Sequence, residues 1–312
     1  MSLLIQYTLL YASVLILVAL GGCFSEHSGV INLGLEGIMV IGAMAGALTM
    51  SAIEGLPGFL IIVITVLISA AAGMIYSLLL AVASINFKAD QTIIGTAMNM
   101  LGTALATVVV KAINTAHNPD DVSSNVQYIQ SKKAFLINIG NFQINYFMII
   151  TLILLIVAYI VLYKSRFGLR LMACGEHPSA ADSVGINVYR MRYAGVLISG
   201  ALGGLGGIVY ITAGVSEWKF EYGVAGFGFL ALAVMIFGQW KPHRIAIAAL
   251  VFALFRALSN VYSGIDILNS LNIDSKVYNM LPYIISLVVL ALTSKNSKAP
   301  KAEGIPYDKG SR

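Results

Sequence analysis

KSRFGLRLMACGEHPSAADSVGINVYRMR, residues Lys164–Arg192, decides how this chain must fold. It carries Lys164, Arg166, Arg170, Arg190 and Arg192, and it separates two uncharged apolar runs, Tyr146–Tyr163 and Tyr193–Gly214. Apolar runs of about 20 residues are long enough to cross the hydrocarbon core of a bilayer. A basic segment between two such runs is a loop at the membrane surface, and basic loops favour the cytosolic side. Within the loop lies a short helix signal, Glu176-His177-Pro178-Ser179-Ala180-Ala181-Asp182. Pro178 suits a first helical position because it has no N–H to lose and its φ is already set. Gly185 stands just past the end, where a positive φ is often needed. A small helix of small residues on a basic surface loop is built to be gripped by another molecule.

Working outward, composition agrees. The 312 residues are 58% hydrophobic and 11% charged, whereas a soluble domain carries about 25% charged residues. The chain cannot clothe a soluble surface and reads as a polytopic, all-α membrane bundle. Spans are expected at Leu3–Gly22, Ile38–Met50, Phe59–Ala83, Thr92–Ile113, Tyr146–Tyr163, Tyr193–Gly214, Ala225–Phe237, Ile245–Tyr262 and Met280–Thr293. With Lys164–Arg192 inside, thirteen of the 19 basic residues fall on the cytosolic side and five outside. That arrangement has nine spans and an outer N-terminus. If Ser25–Met50 crosses in two pieces, the count becomes ten. Residues 1–294 form the transmembrane domain, with the cytosolic loop at 164–192 and an extracytoplasmic loop at 114–145. Residues 295–312 read as a disordered, basic, cytosolic tail. The net charge of +5 is explained by this topology and does not call for nucleic acid.

Catalytic and metal signals are missing from the sequence. It contains no G-x-x-x-x-G-K-[ST], so ATP phosphates have no P-loop here, and no paired-histidine zinc motif. Cys23 and Cys174 suggest neither a disulfide framework nor a metal site. The glycines Gly200, Gly203, Gly204, Gly206 and Gly207 lie in an apolar run and predict close helix packing, as do Gly42 and Gly46.

Polar groups at membrane depth are costly, and they normally face a cavity or another helix. SEHSGVINLGLEG, Ser25–Gly37, is either an ordinary loop or the broken entrance of a span that lines a pathway. In it, Asn32 and Glu36 share a helical face. Glu36 either lines a pathway or steadies the positive end of a helix. Asn99 either contacts a solute or bonds between helices. Phe227 and Phe229 follow Gly226 and Gly228 and either pack or offer a ring to a passing solute. Arg256 is expected to snorkel to the outer interface.

Three stretches carry a family resemblance: Ser28–Gly37, the loop Arg166–Arg192, and Gly226-Phe-Gly-Phe-Leu-Ala-Leu-Ala-Val-Met-Ile-Phe-Gly238. They resemble the permease subunits of bacterial ABC importers in the branched-chain amino acid and simple sugar class. The tail Gly304-Ile-Pro-Tyr-Asp-Lys309 is most similar to the nucleoside-type branch. The resemblance implies an ABC importer permease fold in a bacterial plasma membrane. It implies a second, commonly non-identical, permease and a cytosolic ATPase subunit that binds the ATP. It also implies an extracytoplasmic substrate-binding lipoprotein, and no cofactor on this chain. It makes Gly175, Glu176, His177, Pro178, Ala180, Ala181, Gly185 and Ile186 the ATPase-coupling set, with Ala180 and Ala181 seating the helix and Gly175 and Gly185 setting its ends. Asn32, Glu36, Asn99, Phe227 and Phe229 become candidates for the substrate pathway, and the cargo a nucleoside. Two other readings stay open: the same machine importing a simple sugar such as ribose, and an ion-coupled secondary transporter with Glu36 as its plausible intramembrane acid.

Overall fold

The computed structural model describes residues 2–139, 142–213, 217–262, 275–293 and 299–310. The helices are α1 (Ser2–His27), α2 (Leu35–Ala52), α3 (Gly58–Ala81, continued by a π-helical turn at Val82–Asn86), α4 (Gln91–His117), α5 (Ile129–Lys133) and α6 (Tyr146–Lys164). There follow α7 (Arg166–Glu176), α8 (Pro178–Ser183), α9 (Val188–Thr212), α10 (Phe227–Phe237), α11 (Pro242–Val261) and α12 (Ser275–Thr293). Seven of these are long and apolar enough to cross a membrane among the described residues. α10, with 11 residues, reaches only about 16 Å and cannot span alone. α10 and α12 occupy the remaining predicted spans.

α1 and α9 form the centre. α1 packs on α9, α11, α10 and α6, and α9 packs on α1, α2 and α3. A helix surrounded on all sides needs no polar stripe, and α1 is buried almost continuously from Leu10 to Glu26. Glycine makes the contacts of α9 possible. A Cβ at Gly207 would lie 1.9 Å from the Met39 carbonyl oxygen, one at Gly204 2.3 Å from that of Ser69, and one at Gly206 2.2 Å from Val18. The backbones of α2 and α3 thus approach α9 closely, and the Val18 side chain of α1 fills the space at Gly206, as the glycine run predicts. α3 and α6 lie at the perimeter and turn Leu67, Ile75, Leu152, Ile153 and Ile156 outward.

The two ends of the bundle differ. At one, β1 (Asn125–Gln127) pairs antiparallel with β4 (Glu217–Lys219), and β2 (Leu136–Ile139) pairs with β3 (Phe142–Asn145). β1, β2 and β3 lie in the loop 114–145 expected to be extracytoplasmic, and β4 lies between α9 and α10. The N-terminal turns of α1 lie at this end, beside Lys132 and Leu136. At the other end lie α7, α8 and the end of α1 at His27, against which Gly175 packs. α2 finishes at the β end, where the Ser131 hydroxyl donates to the Met50 carbonyl at 2.6 Å. Residues 28–52 therefore cross once, as a buried non-helical segment followed by α2.

One expectation is corrected here. The tail read as disordered over 295–312, yet residues 299–310 are docked on the α7–α8 end. There the Ala302 N–H donates to the Gly175 carbonyl at 2.8 Å, and Ala302 and Tyr307 are each only 6% exposed. Its charge and its Pro/Gly content suggest disorder, but the groups that receive it come from far away in the chain, among them Gly29, Lys88 and Gly175. Residues 294–298 and 311–312 lie outside the described residues.

Candidate functional site

The re-entrant segment Ser28–Gly34 joins α1 to α2 inside the protein. Buried backbone polar groups need partners, and here side chains supply them. Ser25 Oγ donates to the Val30 carbonyl at 2.7 Å, and the Ile31 N–H donates to Gln91 Oε1 at 2.7 Å. Asn32 is fully buried; its Oδ1 accepts from the Gly34 N–H at 3.1 Å and its Nδ2 donates to Ser199 Oγ at 2.8 Å. Asn99 reaches across from α4, accepting from the Gly37 N–H and donating to the Leu33 carbonyl, both at 2.8 Å. Both asparagines thus hold the broken backbone in place.

Glu36 does the same between two segments. Its Oε1 accepts from the Gly226 N–H at 2.7 Å and its Oε2 from the Gly228 N–H at 2.6 Å. Gly226, at φ +77°, is the residue before α10, so the carboxylate faces the positive end of that helix. A Cβ at Gly228 would lie 2.5 Å from the Glu36 amide nitrogen, so the starts of α2 and α10 touch. Phe227 is fully buried, with ring centroids 5.5 Å from Tyr11 and 4.5 Å from Tyr210. Phe229 points the other way and is 51% exposed on a helix that is otherwise mostly buried. The five pathway candidates therefore gather around one segment, four of them engaged within the chain and Phe229 presented outward.

Arg256 has partners that the expectation of snorkelling did not include. It is half-buried and lies over the rings of Tyr11 and Phe227, 5.9 and 5.5 Å from their centroids. An aromatic box inside the bundle offers the guanidinium favourable cation–π contact. Sequence reading missed this because Tyr11, Phe227 and Arg256 sit on three different helices.

The surface helix forms as expected, with its faces sorted. Ser165 caps α7 by accepting from the Gly168 N–H at 3.1 Å. Pro178 opens α8 at its first turn. Gly185, at φ +84°, closes it: its N–H donates to the Asp182 carbonyl at 2.9 Å, and the Ile186 N–H to that of Ala181 at 3.0 Å. This pair of bonds is the Schellman arrangement, with Ile186 folding back on the helix. Glu176, His177, Ser179, Ala180 and Gly185 are exposed, Pro178 and Ile186 half-buried, and Gly175 and Ala181 buried. Ala181 packs inward with Cys174, Val188 and Tyr307, so it seats the helix on its own chain and only Ala180 faces out. Gly175 does not merely mark an end. A Cβ there would lie 2.3 Å from the His27 carbonyl oxygen, so the glycine lets α7 touch α1. Val184, 76% exposed, is an apolar side chain of the outer face that the sequence reading did not single out. Arg192, one of the loop's basic residues, is buried to 1% exposure behind the docked tail. Both cysteines are buried and free, and no cluster able to hold a metal ion occurs among the described residues.

These features can be set beside known proteins. Residues 4–292 match the family described as branched-chain amino acid transport system, permease component. The guanosine ABC transporter permease protein NupQ of Bacillus subtilis is 39% identical, covering 100% of this chain and 98% of that protein. The nucleoside ABC transporter permease protein NupC of Lactococcus lactis is 37% identical, over 99% of this chain and 98% of NupC. The putative glucose ABC transporter permease protein TsgC13 of Haloferax volcanii is 30% identical, over 82% of this chain and 76% of TsgC13. No solved structure matches. The match across the whole bundle, re-entrant segment and surface helix included, places this chain in the family of branched-chain amino acid transport system permease components, multi-pass membrane subunits of ABC transporters.

Proposed function

We propose that this chain is a permease of an ABC importer that takes up nucleosides, with ATP bound and hydrolysed on a separate cytosolic ATPase subunit. The observation that carries the reading is the end-to-end match to two permeases named for guanosine and nucleosides. The sugar-type relative matches less of the chain at lower identity. A nucleoside has a flat ring and several hydroxyl and amide-like groups, and its pathway needs a ring surface and a few polar groups without fixed charge. Phe229 offers an exposed ring face of this kind. That face is open to the surface of the chain, so a second permease, non-identical as the resemblance implies, closes the pathway from the other side. An extracytoplasmic substrate-binding lipoprotein delivers the solute.

The α7–α8 end and the C-terminus lie in the cytosol on this reading. The outer face of α8, with Ala180 and Val184, enters the ATPase subunit, whose closure moves the helix as a rigid body. An ion-coupled mechanism is disfavoured, because both carboxylate oxygens of Glu36 are engaged by α10. The test is uptake of radiolabelled guanosine in a deletion strain complemented with this chain. Unlabelled nucleosides should compete, whereas ribose and free bases should not. Competition by ribose alone would transfer the reading to a sugar.

A further inference from the structure

The docked C-terminal segment, residues 299–310, contacts α7, α8, α9, the re-entrant segment and Lys88. Two of its backbone bonds, two residues apart, go to different places. The Ala302 N–H donates to the Gly175 carbonyl at the end of α7, and the Gly304 N–H donates to the Gly29 carbonyl of the re-entrant segment at 3.3 Å. Gly304 is at φ +75°, and a Cβ there would lie 2.7 Å from Ile31 Cδ1, so the crossing needs glycine. Further on, Tyr307 packs with Cys174, Ala181 and Val188, and its ring lies 5.6 Å from that of Tyr189 on α9. Two ion pairs complete the attachment: Lys88 to Asp308 at 2.7 Å, before α4, and Lys309 to Asp182 at 3.7 Å, on α8. Exposed pairs of this kind add little. The buried Ala302 and Tyr307 and the two backbone bonds are the attachment that matters.

These contacts have a direction. Ala181 is the inward face of the helix whose outward face is presented, and Tyr307 covers it. The same strap is bonded to the segment that leads into Asn32 and Glu36. We propose that residues 299–310 are a positioning strap for energy coupling, in which Tyr307 and Ala302 hold α7 and α8 in register with the re-entrant segment at the head of α2. This rests on the coupling role proposed above for the outer face of α8. Gly175 of α7 already touches the His27 carbonyl at the end of α1, and the strap adds a second, doubly bonded link that ties α7 to Gly29 inside the segment and covers Ala181 of α8.

The experiment uses the complete transporter, reconstituted in liposomes with its ATPase and binding protein, and reads labelled nucleoside uptake and ATP hydrolysis side by side. Tyr307→Ala and Ala302→Trp should still copurify with the ATPase and hydrolyse ATP. Their uptake per ATP should fall by about fivefold or more, the scale of a typical coupling between sites. Tyr307→Phe, which keeps the ring, should stay near wild type. An unchanged ratio in both undocking variants overturns the strap's role. So does a loss of uptake that only follows a loss of ATPase copurification, since the strap would then serve assembly alone. Ala180→Trp, on the outer face, separates the two readings. If it leaves copurification and uptake intact, the coupling assignment falls and the strap's role with it. If it uncouples while the strap variants do not, the strap alone is refuted.

Discussion

Asn99 illustrates what a single residue can hide. In sequence it is an amide at membrane depth, equally suited to a solute or to a neighbouring helix. In the structure its two ends are engaged by the Gly37 N–H and the Leu33 carbonyl. Leaving a buried backbone group unpaired costs about 1–3 kcal/mol. Asn99→Leu is therefore expected to lower the thermal stability of the purified permease by at least one such group before any effect on transport. A melting curve in detergent reads this. Normal stability with impaired uptake would return Asn99 to the pathway. Glu303 is the second case. Burial raises its carboxyl from 4.5 to about 7, and a bond to Glu26 opposes the shift. The docked strap thus binds more protons than the released one between those two values. The contribution of Glu303 to docking is therefore full below about 4.5 and is lost as pH rises through about 7. Glu303→Gln, neutral throughout, should remove that contribution and so flatten the pH dependence of docking across this range. Trypsin cleavage after Lys301, compared between the two proteins at each pH, measures it, and identical cleavage at every pH would contradict it.

At the scale of elements, α8 was legible because its signals are local. Pro178 and Gly185 each act through their own backbone conformation, and the cap bonds span only five residues. Which face points outward was not legible, because adjacent alanines differ only in what surrounds them. Ala181 is 4% exposed, whereas Ala180 faces out. Ala180→Trp is therefore expected to fold normally and to disturb contact with the ATPase, read by copurification. Ala181→Trp should instead destabilise the permease itself by about 1–3 kcal/mol through overpacking. Equal behaviour of the two variants would mean that α8 is not seated as described. The re-entrant segment shows the same division. Ser25–Gly37 was visible as polar, glycine-rich sequence, with two readings open. Its burial depends on Gln91, Asn99 and Ser199, which lie at least 60 positions away.

For the whole molecule, sequence by itself determined the solvent and the class of architecture. Long uncharged runs can rest only in lipid, and only helices satisfy their own backbone there. The glycines of α9 announced close packing without naming the partners. What only the tertiary structure decided is how charged and polar groups far apart in the chain were used. Arg256 went into an aromatic box of three helices, and Glu36 became a clamp between α2 and α10. The tail, composed like a disordered segment, found its carbonyl partners at Gly29 and Gly175. The physical reason is the same in each case. Hydropathy and helix caps are properties of neighbours along the chain, whereas a buried hydrogen bond or ring contact belongs to whichever groups the packed helices bring within reach.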